Sequence, residues 1–181
     1  AKKRLACRLL IAGQTDRADT LIGELMDGEF YDLENQYLKG RLNVSLGKYK
    51  EASSVLEKLM AAKPNMRLYP FTYDLGYLLG IAHYKEGRIT EAREALLQAI
   101  TFNPGLVNAN VLLAEISLMT GRNKESAEAA RRVLAADPTN PSATLYLGNA
   151  LMNSDNPQEY REGLQRTVDG LEITLANDPE N

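Results

Sequence analysis

The sequence predicts an all-α chain assembled from helix–turn–helix repeats, and three observations carry that prediction. Apolar residues recur at helical spacing from one end to the other, and no alternating apolar run is bounded by turn residues. Glycines at 13, 47, 87 and 121 are separated by 34, 40 and 34 residues, and prolines at 64, 104, 138 and 179 by 40, 34 and 41. Small residues keep step: Ala6, Gly40, Gly80, Ala114 and Gly148 form one series, and Ala18, Ala52, Ala92 and Ser126 another. A period of 34 with insertions of six and seven residues therefore accounts for nearly all of the 181 residues.

The segment 79–104, LGIAHYKEGRITEAREALLQAITFNP, shows how each residue of a unit works. Gly87 follows an apolar-periodic helix and suits the left-handed conformation that ends one. Thr90 is expected to cap the second helix of the pair. Ala92, Leu96, Ala99 and Ile100 then share a face, and Pro104 cannot extend the backbone ladder. Gly80 and Ala92 are small because two antiparallel helices approach closely there; a leucine at either place would overpack the crossing by roughly 1 to 3 kcal/mol. Five units follow, at 1–32, 33–66, 73–106, 107–140 and 141–181, giving ten helices. The first insertion falls at 67–72, where Pro70 suits an early start to the fifth helix. The second falls at about 154–160. There Asp155-Asn156-Pro157 reads as a cap and first helical residue, opening a long helix to about residue 176. Tyr160, Leu164, Val168, Leu171 and Leu175 share one face of it. An insertion of almost two turns is expected to leave that face turned toward the core.

Composition narrows the chemistry. At 44% hydrophobic and 25% charged residues the chain reads as folded and soluble, and no apolar stretch approaches a membrane span. A net charge of −3, with no basic run longer than Lys2-Lys3-Arg4, argues against nucleic acid as a partner. Cys7 and His83 are the sole cysteine and histidine, so no disulfide, Cys/His zinc site or histidine pair is available. No phosphate-cradling glycine loop or nucleophile motif occurs, and the chain is expected to be non-catalytic and to need no cofactor or metal. His83 is expected as a packed, hydrogen-bonded core side chain, and Cys7 as a small apolar residue on the first helix. Asn43-Val44-Ser45 matches a glycosylation sequon but falls inside a helix with Asn43 facing inward. Arg93, Glu94, Arg131 and Arg132 are expected on a solvated outer face. Residue 1 is alanine followed by a charged, helix-like segment, which reads as a fragment or processed form rather than a signal peptide.

Leu79-Gly80, Gly87, Ala92, Ala99 and Pro104, at these spacings, resemble the tetratricopeptide repeat, and the resemblance covers essentially the whole chain. The sequence departs from the family where Gln36, Gly76, Asn110 and Thr144 replace an aromatic early in the first helix. The resemblance implies a right-handed α-solenoid whose first helices line a concave groove for peptides or partner helices. Carried over position by position, that groove includes Tyr37, Arg41, Tyr77, Ile81, Tyr84, Lys85, Val111, Glu115, Leu118, Met119, Leu145, Asn149 and Met152, with Lys3, Glu34 and Asp74 among the further concave positions. Tyr37, Tyr77, Ile81, Tyr84, Leu118 and Met119 are expected to be partly exposed. The Lys, Asn and Arg positions with which some family members clamp acidic tails carry residues such as Tyr37, Tyr77 and Leu112 here. The implied function is a non-catalytic scaffold that binds a protein or peptide. Alternatives are the repeat portion of a bacterial envelope assembly, secretion, pilus or polysaccharide-export factor, and, more remotely, a helical-repeat RNA reader. Neither the partner's identity nor the oligomeric state is legible from the residues.

Overall fold

The computed structural model describes residues 1–28, 32–62 and 72–177, with the backbone alone for Thr72, Tyr73 and Asn177. The described residues form ten α-helices and no strand. They are α1 (Lys2–Ile11), α2 (Thr15–Gly28), α3 (Leu33–Ser45), α4 (Tyr49–Ala61), α5 (Thr72–Lys85), α6 (Ile89–Phe102), α7 (Val107–Met119), α8 (Asn123–Ala136), α9 (Pro141–Met152) and α10 (Pro157–Asn177). The insertion expected at 67–72 lies outside the described residues except for Thr72, which opens α5.

The turn inside each of the first four helix pairs is built the same way. Gly13, Gly47, Gly87 and Gly121 have φ of 69°, 71°, 78° and 73°. The amide after Gly87, that of Arg88, donates to the His83 carbonyl at 2.9 Å, and Gly87 itself donates to Tyr84 at 3.0 Å. Gln14, Lys48 and Arg122 make the equivalent bond to Leu9, Asn43 and Ser117. Two carbonyls orphaned at the helix end are thereby satisfied, which requires a residue at ease with positive φ. Thr90 does not cap the second helix. It lies inside α6, and the Arg88 carbonyl already accepts from Ala92.

The chain divides into two compact units, Ala1–Ala99 and Ile100–Asn181. In the first, α1 packs on α2, α3 on α4, and the first helices α1, α3 and α5 touch in sequence. Its core joins Ala6, Leu9, Leu10, Ala18 and Ile22 to Leu38, Leu42, Ala52, Leu56, Leu75 and Leu79, all buried. A Cβ on Gly40 would overlap the Leu56 side chain, and one on Gly80 would stand 2.8 Å from Leu96 Cγ and 3.4 Å from the Ala92 carbonyl. These are the close crossings that the small-residue series predicts.

In the second unit α7 packs on α8, α8 on α9, and α9 on both α7 and α10. Leu113, Ile116, Val133 and Leu147 are fully buried at its centre. Ser126 donates its hydroxyl to the Ala114 carbonyl at 2.8 Å, so even the polar member of the small-residue series is satisfied at the crossing.

The long last helix is present, capped where Asn156 Oδ1 accepts from the Gln158 amide at 2.9 Å, but its orientation corrects the sequence reading. Tyr160, Leu164, Val168, Leu171 and Leu175 are 46%, 45%, 50%, 51% and 57% exposed. The face on α9 is instead Gly163, Thr167 and Gly170. A Cβ on Gly148 would lie 2.8 Å from the Thr167 amide nitrogen and 2.9 Å from the Gly163 carbonyl. The apolar stripe is turned outward.

Candidate functional site: the first-helix faces

Polar bridges join neighbouring first helices in each unit. Lys3 on α1 pairs with Asp32 at 2.8 Å and with Glu34 on α3 at 3.5 Å. The Lys3 ammonium is held above its ordinary value: burial works against its charge, and the bonds to Asp32 and the two nearby carboxylates outweigh that. Between α3 and α5 the Tyr37 hydroxyl donates to the Asp74 carboxylate, 2.8 Å from Oδ2. Arg41 donates to both the Tyr37 oxygen, at 2.9 Å, and Asp74 Oδ2, at 3.0 Å. Burial, then the Asp74 charge, pushes the Tyr37 hydroxyl far above the usual phenol range. Burial also raises Asp74, opposed by the Tyr37 hydrogen bond and by Arg41. The three side chains together carry no net formal charge. Between α7 and α9, the Tyr146 hydroxyl is raised first by burial and then by the Glu115 carboxylate to which it hydrogen-bonds.

Around these bridges lies an apolar lining. In the first unit Tyr77, Ile81 and Tyr84 are half-buried on α5, and the exposed Lys85 places Nζ 5.6 Å from the Tyr84 ring centroid. Burial first, and Asp74 second, raises the Tyr77 hydroxyl. In the second unit Val111, Leu118, Leu145, Asn149 and Met152 are half-buried beside Glu115, and Met119 is 64% exposed. Tyr37 corrects the sequence reading: at 4% exposure it is a buried rivet between helices, not a partly exposed surface residue. Its ring is covered and its hydroxyl is committed to Asp74. Asp74, which the family geometry also puts among the concave positions, is the residue that fastens Tyr37 and Arg41 in place.

His83 is buried at 3% exposure, but its hydrogen bonding differs from expectation. Nδ1 has no hydrogen-bond partner, and Nε2 lies 3.6 Å from Glu57. Burial, helped by Arg88, lowers its pKa, while Glu57, Glu86 and Glu91 oppose the shift. Asn43 is buried, as its place on the inward face predicts. Cys7 is half-buried. Among the described residues no group of three or more His, Cys, Asp or Glu side chains could hold a metal ion, and no helix is long and apolar enough to cross a membrane.

Helix pairs turned on a left-handed glycine, crossed on small residues and bridged along their first helices define a helical-repeat protein. The chain belongs to the tetratricopeptide repeat family, whose profile matches residues 37–107, 77–141 and 111–159. No curated protein matches the sequence. Among solved structures, a MamA double mutant is 20% identical with a TM-score of 0.74, over 99% of this chain and 96% of its own. MamA from Desulfovibrio magneticus RS-1 is 20% identical with a TM-score of 0.73, over 98% of this chain and 95% of its own. YrrB, described as a tetratricopeptide repeat protein with an unusual peptide-binding site, is 20% identical with a TM-score of 0.70, over 99% of this chain and 86% of its own. At these identities the likeness bears on the fold.

Proposed function

We propose that this chain is a non-catalytic interaction scaffold that binds a peptide or partner helix on its first-helix faces. The observation that carries the reading is the second unit's lining. Met119 is largely exposed there, and Val111, Leu118, Leu145 and Met152 are only half-covered, around a single carboxylate, Glu115. Such side chains gain from a ligand that removes them from water, and Met adapts to varied shapes. The first unit offers Tyr77, Ile81, Tyr84 and Lys85 in the same role, with Arg41 held by Asp74 at its border. Because Arg41 is neutralised in place, the face favours apolar anchors over an acidic tail. The family membership and the peptide-binding description of YrrB support the same reading.

The test is selection of a displayed random 12-residue peptide library on the purified chain, followed by titration of the enriched peptides into variants. Tyr77→Ala, Tyr84→Ala and Leu118→Ala should each weaken binding by roughly five- to a hundredfold where the residue is an anchor. Melting temperature should stay near that of the parent. Absence of any enriched peptide, or binding untouched by all three variants, would refute the assignment of these faces.

A further inference from the structure

Among the described residues the outward stripe of α10 is the largest ordered run of exposed apolar side chains, holding five of the ten large hydrophobic residues that are exposed by 36% or more. We propose that it pairs, antiparallel, with the same helix of a second copy. At 100° per residue the five side chains fall within an arc of about 80°. Arg161 and Glu172 both border the edge of that arc away from α9, both are exposed, and neither forms an ion pair with another described residue. Gly163, Thr167 and Gly170, which seat α10 on α9, lie toward the opposite edge and leave the stripe free.

The charges select the register. A twofold axis level with the midpoint between Arg166 and Thr167 sets Arg161 of each copy level with Glu172 of the other. It keeps like flanks together, so two ion pairs form. The same register interleaves the apolar residues. Tyr160 falls between the second copy's Leu175 and Leu171, Leu164 between its Leu171 and Val168, and Leu171 between its Leu164 and Tyr160. Charge complementarity and knob spacing thus agree on one alignment, in the manner of a short antiparallel coiled coil. A parallel pair would put the two Arg161 side chains, and the two Glu172 side chains, on opposite sides of the seam, so neither ion pair would form. The helix has twenty-one residues, about 31 Å, so the stripe buries less than the roughly 800 Å² per partner of a standard interface. The pairing is therefore reversible and concentration-dependent.

The experiment is sedimentation equilibrium of the full 181-residue chain up to roughly 1 mM, the weak end of the affinity range for such contacts. A monomer–dimer equilibrium is expected, lost in Leu171→Glu, whose exposed side chain leaves the helical circular dichroism intact. Arg161→Glu and Glu172→Arg should each weaken association by roughly tenfold or more alone, since two attractions become two repulsions. Mixed in equal amounts they should associate with each other, because every facing pair is again opposite in charge. Register is read separately in a Cys7→Ser background. Val168→Cys should cross-link under mild oxidation, its sulfurs being level to within about 5 Å along the axis, whereas Leu175→Cys should not, being offset by about 25 Å. A chain monomeric throughout overturns the proposal and assigns the stripe to a different partner. Association that survives Leu171→Glu, fails to recover on mixing, or cross-links equally at both positions overturns it too. None of these readouts involves the first-helix faces.

Discussion

Gly148 carries the sharpest test of how the helices are held. A methyl group there would stand 2.5 Å from Thr167 Oγ1, 2.8 Å from the Thr167 nitrogen and 2.9 Å from the Gly163 carbonyl oxygen. Two of those neighbours are backbone of α10 and cannot rotate aside. Gly148→Ala should therefore approach the upper end of the overpacking range, about 3 kcal/mol, offset by about 1 kcal/mol of improved helix propensity. The net loss, about 2 kcal/mol, corresponds to roughly 4 to 8 °C in melting temperature for a chain of this size. Gly23 supplies the control: it is also inside a helix, but nothing lies within 4 Å of its added Cβ. Gly23→Ala should stabilise by up to about 1 kcal/mol. The two variants differ only in surroundings, so thermal circular dichroism at equal concentration compares them directly. Gly40→Ala should fall between them, since the obstacle there is a Leu56 side chain that can change rotamer. Should Gly148→Ala melt with or above the parent, α9 and α10 do not cross on this residue.

Two further outcomes follow from the buried polar groups. Tyr37→Phe removes the hydroxyl whose hydrogen bond Asp74 accepts and that Arg41 contacts, and should cost about 1.5 to 3 kcal/mol in denaturant melts, the range for a hydrogen bond to a charged group. His83 has a folded pKa below its ordinary value of 6.5, so the unfolded chain binds the proton more readily. Stability should fall as pH drops below about 6.5, and His83→Gln should flatten that part of the profile. A wild-type profile level between pH 7 and 5.5 would contradict the burial assigned to this imidazole.

The turns and crossings were legible because each rests on a single residue's steric limits. A left-handed φ at Gly87, or a missing Cβ at Gly80, shows through without knowledge of distant partners. The orientation of α10 was not legible, because its docking face is made of residues that hydrophobicity does not mark. Gly163 stands against the Gly148 carbonyl as Ser126 stands against that of Ala114, 37 residues later rather than 34. The helix pair is thus displaced by three residues, not by two whole turns, and the leucines rotate outward. The first-helix bridges were hidden for a different reason. Their partners lie one helix pair apart, and hydropathy does not connect them. A signal exists nonetheless. Lys3 and Glu34 are 31 residues apart, as are Glu115 and Tyr146; Tyr37 and Asp74 are 37 apart, the same interval plus the six inserted residues. Scanning a repeat sequence for complementary polar pairs at three less than its period would have found all three.

That interval constrains how such a surface can change over time. The bridges occupy the helix faces proposed for a ligand, so part of that proposed surface is simultaneously the fastening between neighbouring first helices within a unit. Tyr37, Arg41 and Asp74 cannot drift toward a new partner without loosening α3 from α5. Tyr77 and Ile81, or Val111 and Met152, are half-buried beside those bridges without belonging to them. On each proposed face specificity is freer to evolve at such positions than at the bridges, so a new ligand would be accommodated by changing the spaces between fixed posts.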